Sequence, residues 1–156
     1  MRVYRISRLP FSGNPLDGEG SYRFGGRWSS AGVRVVYAAE HRSLAALEYL
    51  VHLDPHCYPD DLVISVIDIP DDVRIDEYPR AALPLNWTIF PAPTELCEIG
   101  DRFVQKAEAA VLKVPSALIH DEYNLLINPV HPDSRAVRIV SKEAFQYDGR
   151  LLQALP

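Results

Sequence analysis

Glu48 lies in HRSLAALEYLVHL, residues 41–53, where Leu44, Leu47, Leu50 and Val51 recur at helical spacing. On that helix Glu48 falls about 40° from Leu44, at the margin of the apolar stripe. A carboxylate there is partly desolvated unless something pairs with it. Carboxylates so placed often have raised pKa values and serve as acids, bases or fixed negative charges. The same position also suits a boundary residue reaching solvent, or an ion-pair partner for an arginine.

Arginines for such a pairing are concentrated upstream. Residues 1–42 hold seven (2, 5, 8, 23, 27, 34 and 42) against Asp17, Glu19 and Glu40, a net of +4, while the rest of the chain carries a net of −9. Arginine outnumbers lysine 13 to 3. Its planar fork of donors matches phosphate and carboxylate oxygens, so this quarter is suited to a small anion such as a diphosphate. Composition alone equally fits arginines exposed on strand edges and paired with the acidic remainder. Six of the eight glycines fall between Gly13 and Gly32, and a long glycine-rich loop permits close approach of a ligand.

Several chemistries are absent. The glycine-rich stretch matches neither GxxxxGK[ST] nor a strand–GxGxxG–helix unit. There is no HExxH, CxxC or GxSxG. His52 and His56 have i,i+4 spacing, but Pro55 lies between them, so no metal site is expected. Cys97, Trp87 and Phe103 read as core. Cys57 and Cys97 cannot build a disulfide framework, which fits a reducing cytoplasm. No apolar run approaches a membrane span. With a net charge of −5, direct nucleic-acid binding is disfavoured.

The elements that must position these residues follow from pattern. The 156 residues, 47% hydrophobic and 24% charged, predict one domain. Strands are expected at Val3–Ser7, Val33–Ala39, Leu62–Ile69, Val73–Tyr78, Val111–Val114, Leu125–Ile127 and Ala136–Val140. Helices are expected over 41–53 and from a Thr94 cap to about Glu108, with Leu96, Ile99 and Phe103 inward. Residues 8–32 and the proline-rich 79–93 read as loops. This is an α+β class: short strands in mixed sheets with two main helices.

Three stretches taken together resemble one family: GSYRFGGRWSSAGVRVVYAAE (20–40), SLAALEYLVHL (43–53) and VLKVPSALIHDEYNLLINPVHPD (111–133). The chain is similar to the RES domain, whose naming arginine, glutamate and serine match Arg27 in GGRW, Glu48 in ALEYL and Ser116 in VPSAL. The likeness covers about residues 1–140. It implies an ADP-ribosyltransferase-like fold and a bacterial, cytoplasmic toxin of a toxin–antitoxin pair that breaks the nicotinamide–ribose bond of NAD+, a substrate, without a metal. The implied partner is an antitoxin of Xre helix-turn-helix type, with the toxin a homodimer in the complex. Two alternatives stay open: transfer of ADP-ribose to a cellular protein, and a non-catalytic partner of a transcription-regulating antitoxin.

The resemblance also implies roles. Glu48 would face the ribose cation. Arg27 would bind the diphosphate or nicotinamide ribose, with Gly25 and Gly26 letting the backbone approach. Tyr37 would stack on nicotinamide. Ser116 would hydrogen-bond Glu48 or the ribose, Asn128 would contact the ligand or support a residue that does, and Arg5 is a further candidate for ligand binding.

Overall fold

A computed structural model describes residues 1–54 and 58–153. His56 and Cys57 therefore lie outside the described residues, as does Pro55. Seven strands form one mixed sheet: β1 (Arg2–Arg8), β2 (Val36–Ala39), β3 (Leu62–Asp68), β4 (Ile75–Glu77), β5 (Val111–Pro115), β6 (Tyr123–Ile127) and β7 (Arg138–Phe145). Their order is β4-β5-β6-β2-β1-β3-β7. All neighbours are antiparallel except β4 and β5. The helices are α1 (Glu19–Phe24), α2 (Arg42–Leu50), α3 (Thr94–Lys106) and α4 (Gly149–Gln153).

The sheet has a narrow waist. β1 pairs β3 over seven positions, and β2 pairs β6 over four. Between β1 and β2 the register holds a single pair, Tyr4 opposite Ala39. Arg5 supplies a bond the ladder lacks: its Nη1 donates to the Tyr37 carbonyl at 2.9 Å. Two halves of one sheet thus diverge just where Arg5 and Tyr37 sit.

Side-chain alternation assigns the cores. Val36 and Ala38 of β2 join Leu125 and Ile127 of β6 on one face. On the other, Leu126, Leu112 and Val114 meet Trp28, Trp87 and Leu96, with Tyr37, Ile99 and Phe103 packed against them. Leu44 and Ala45 of α2 pack on Ile6 and Ile64. Trp87 is a core residue, as expected, and Phe103 is partly buried against the same cluster. The mostly apolar β3 is buried along nearly its whole length, Ser65 included.

Departures from the sequence pattern have local causes. The stretch 8–32 holds a 3-10 turn at Leu9–Phe11 and helix α1. Gly18 enters α1 at φ 66° and Gly25 ends it at φ 70°, where only glycine is unstrained. Glu19 ties the helix down through Arg23 and Arg34, both at 2.7 Å. Residues 33–35 are drawn off the sheet, because the Ser21 hydroxyl accepts from Val35 N–H at 2.7 Å and lies 2.9 Å from the Val33 carbonyl oxygen. In α2, Leu44 and Leu50 are buried, whereas Val51 is 55% exposed just past the helix end. Pro93, not Thr94, is the flanking residue of α3. β7 begins later and runs longer than its pattern, following a 3-10 turn at Pro132–Ala136.

Candidate active site

A cavity of about 940 Å3 opens where the sheet halves diverge, at the upper end of the range for small-molecule sites. Arg5, Gly25, Gly26, Arg27, Tyr37 and Glu48 all line it. Residues separated by up to 43 positions in the chain are thus brought to one space by β1, β2, α2 and the turn after α1.

Glu48 projects from the second turn of α2. Its Oε1 accepts from Asn124 Nδ2 at 2.5 Å and from Ser116 Oγ at 3.0 Å. The Ser116 oxygen in turn accepts from the Leu118 and Ile119 amides at 3.1 and 3.2 Å, which leaves its hydrogen for the carboxylate. Ser116 is buried against Glu48 and is not among the cavity-lining residues. Among the described residues, Glu48 Oε2 accepts no hydrogen bond. One oxygen is fixed and the other is available to a ligand.

The turn after α1 carries Arg27. Its Nη1 donates to the carbonyls of Trp87 at 2.7 Å and Ile89 at 3.1 Å, stapling the turn to the proline-rich segment. Partial burial lowers its pKa, and the charge of Glu48 works in the opposite direction. Arg5 is the more enclosed cation. Burial lowers its pKa, with Asp17 opposing, and its buried Nε has no hydrogen-bond partner among the described residues. A buried donor left unpaired is rare in folded proteins and marks a place where an acceptor is wanted.

Tyr37 supports the Arg27 turn from beneath. Its hydroxyl accepts from Trp28 N–H at 3.1 Å and shares a hydrogen bond with Ser29 Oγ at 2.8 Å. Burial pushes its pKa up to about 12, so it stays neutral at physiological pH. Gly26 must be small because a Cβ there would lie 2.7 Å from the Tyr37 hydroxyl. Tyr37→Phe removes the acceptor for the Trp28 amide. An expected loss of about 1–2 kcal/mol should appear as a lower urea midpoint with an unchanged m-value.

Two expectations are corrected. Asn128 is fully buried and is not among the cavity-lining residues. Its Nδ2 donates to Val104 O of α3 and its Oδ1 accepts from Val130 N–H, so it closes the end of α3. The amide that meets Glu48 belongs to Asn124, which lines the cavity from β6. Its only signal in the sequence is a lone amide within the apolar strand YNLLI. Cys97 is not core: it is half-buried on the cavity wall, with Sγ 3.3 Å from the Gly26 carbonyl oxygen. Among the described residues no group of three or more His, Cys, Asp or Glu side chains is placed to hold a metal, and no helix is long and apolar enough to cross a membrane.

Comparison with known proteins adds sequence-wide relationships. The family model described as RES domain matches residues 2–148. A Pseudomonas putida (KT2440) protein named Toxin Res is 40% identical over 153 residues, covering 97% of this chain and 99% of that protein. A Sphingobium sp. (strain YBL2) protein named Prs ADP-ribosylating toxin is 35% identical over 145 residues, covering 92% and 90%. A chain in the crystal structure of the M. tuberculosis MbcT–MbcA toxin–antitoxin complex matches with a TM-score of 0.69 at 18% identity, covering 99% of this chain and 87% of that one. That last likeness is one of fold.

Proposed function

The chain belongs to the RES domain family, and from that membership we propose that it is the toxin of a bacterial toxin–antitoxin pair, cleaving NAD+ at the nicotinamide–ribose bond. The observation that carries the reading is the meeting of Glu48, Arg27 and Arg5 in one cavity of small-molecule size. NAD+ requires an anion grip for its diphosphate and a negative charge near its reacting sugar. The residues present fit both needs.

Nicotinamide leaves with the bonding electron pair as a neutral base, so the leaving group needs no proton donor. The barrier lies in the positive charge left on the ribose, as in glycoside hydrolysis. Glu48 supplies a fixed counter-charge for that oxocarbenium-like state, and Asn124 and Ser116 hold it in place before the reaction begins. Arg5 and Arg27 both line the cavity and supply two guanidinium groups for the diphosphate. Tyr37 presents a ring on the same cavity for nicotinamide. Water or phosphate then bonds to the anomeric carbon. With water the products are nicotinamide, ADP-ribose and a proton released to solvent.

The names of the relatives support the toxin assignment. The partner in this reading is a cognate antitoxin of Xre helix-turn-helix type, the toxin pairs with a second copy inside the complex, and the site of action is the bacterial cytoplasm. A second acceptor has a specific basis: one 35% identical relative is named as ADP-ribosylating. Incubating purified, antitoxin-free protein with NAD+ and resolving the products, with and without phosphate, tests the reading. Free nicotinamide with ADP-ribose or its phosphate ester is expected. Intact NAD+ under all conditions would overturn it, and label transferred to macromolecules of a lysate would move the acceptor to a protein.

Asn124→Leu separates orientation from charge. Glu48 then keeps only Ser116 as a donor, and small misplacement of a catalytic group costs roughly 10²-fold in rate. The expected result is a kcat lowered by about that factor with KM nearly unchanged, read from initial rates of nicotinamide release.

A further inference from the structure

Phe24 and Phe90 are 84% and 81% exposed, yet both line the cavity that holds Glu48. Among the described residues neither joins any of the three core clusters. They come from different segments: Phe24 closes α1, and Phe90 lies in the proline-rich stretch. The Arg27 staple relates them. Phe24 precedes Arg27 by three residues, and Phe90 directly follows Ile89, whose carbonyl Arg27 holds at 3.1 Å. Two exposed aromatic rings, one from the segment just before Arg27 and one from the segment that Arg27 holds, thus line the same cavity as Arg27 itself.

A dinucleotide bound as proposed above has a fixed order of parts. The reacting ribose faces Glu48 and the diphosphate lies at the guanidinium groups. In that order the adenosine lies beyond the diphosphate, and Phe24 and Phe90 are exposed rings lining the same cavity as the guanidinium groups. An exposed aromatic face is a stacking platform for a purine, whose π-face needs no particular hydrogen-bond donor. We propose that Phe24 and Phe90 form the adenine subsite and set the preference for a dinucleotide over a nicotinamide mononucleotide. This rests on the NAD+ reading and extends it to residues outside the Arg–Glu–Ser set.

The test uses Phe24→Ala, Phe90→Ala, the double variant and the conservative Tyr variants. Their side chains are solvent-exposed, so folding should be retained, and circular dichroism checks this. Steady-state rates with NAD+ should show KM raised about 10-fold or more in the double Ala variant, the range for losing one stacked base. Values of kcat should stay within about threefold, and turnover of nicotinamide mononucleotide should be unaltered. The double Tyr variant should restore the NAD+ KM. Calorimetric titration with ADP gives a readout independent of bond cleavage: wild-type protein should bind it, and the double Ala variant should bind at least about 10-fold more weakly. Unchanged ADP affinity and unchanged KM in the double Ala variant would overturn the subsite while leaving the NAD+ reading standing. Intact NAD+ with wild-type protein that still shows Phe-dependent ADP binding would overturn the reaction and keep the subsite. Absence of ADP binding to wild-type protein would overturn the subsite outright.

Discussion

Glu48→Gln is expected to reduce NAD+ consumption by at least about 10²–10³-fold, the scale seen when one electrostatic contact to a transition state is deleted. The substitution is chosen because it preserves shape. The glutamine carbonyl can still accept from Asn124 Nδ2 and Ser116 Oγ, the two donors that hold Oε1. What is lost is the negative charge that, in the proposed reaction, faces the sugar cation. Stability should therefore change little, and the affinity for ADP should hold, since neither the guanidinium groups nor the exposed rings are touched. The measurement is nicotinamide release under saturating NAD+, paired with thermal unfolding of both proteins. A variant that keeps more than about a tenth of wild-type kcat would show that the carboxylate is not the stabilising charge. In cells the same change should abolish growth arrest when the chain is expressed without an antitoxin.

Glu48 is legible because its signal is local. A charged residue on the margin of a leucine stripe can be found from helical periodicity, whereas composition marks only a region rich in arginine and glycine, and the resemblance to the RES domain is what singles out Arg27 within it. Asn124 was not legible in the same way. It reaches Glu48 only because β6 lies beside β2, a pairing between residues more than 80 positions apart. Of the two asparagines in EYNLLINP, the expected one, Asn128, follows the end of β6 and is consumed in closing α3. Helix α1 was hidden for a different reason. Six residues bounded by left-handed glycines are too short to show a period, and its stability comes from Arg34 and Val33–Val35, beyond its own sequence. The single-pair waist between β1 and β2 has no sequence signature either, though it opens the cavity.

Gly100→Ala should destabilise the protein by about 3 kcal/mol, the upper part of the overpacking range, although helix propensity alone argues the opposite sign. Gly100 sits inside α3, where alanine is ordinarily favoured over glycine by about 1 kcal/mol. Here the helix backbone presses on the turn that carries Arg27. A Cβ at Gly100 would lie 1.7 Å from the Trp28 carbonyl oxygen and 2.9 Å from its carbon. Both are backbone atoms, so no rotamer change relieves the overlap. Either α3 or the turn must shift, and Trp28 is 2% exposed within a filled cluster shared with Leu96 and Trp87. Moving the turn displaces Arg27 and the Trp28 amide that Tyr37 holds. The site should suffer along with the fold, with a raised KM for NAD+ even at temperatures where the variant remains folded. Urea denaturation of Gly100→Ala beside Gly149→Ala decides the matter. Gly149 begins α4 with nothing within 4 Å of an added Cβ, so that control should be neutral or slightly stabilising. If Gly100→Ala behaves like the control, α3 does not bear on the Arg27 turn and the seam between them is looser than these contacts require.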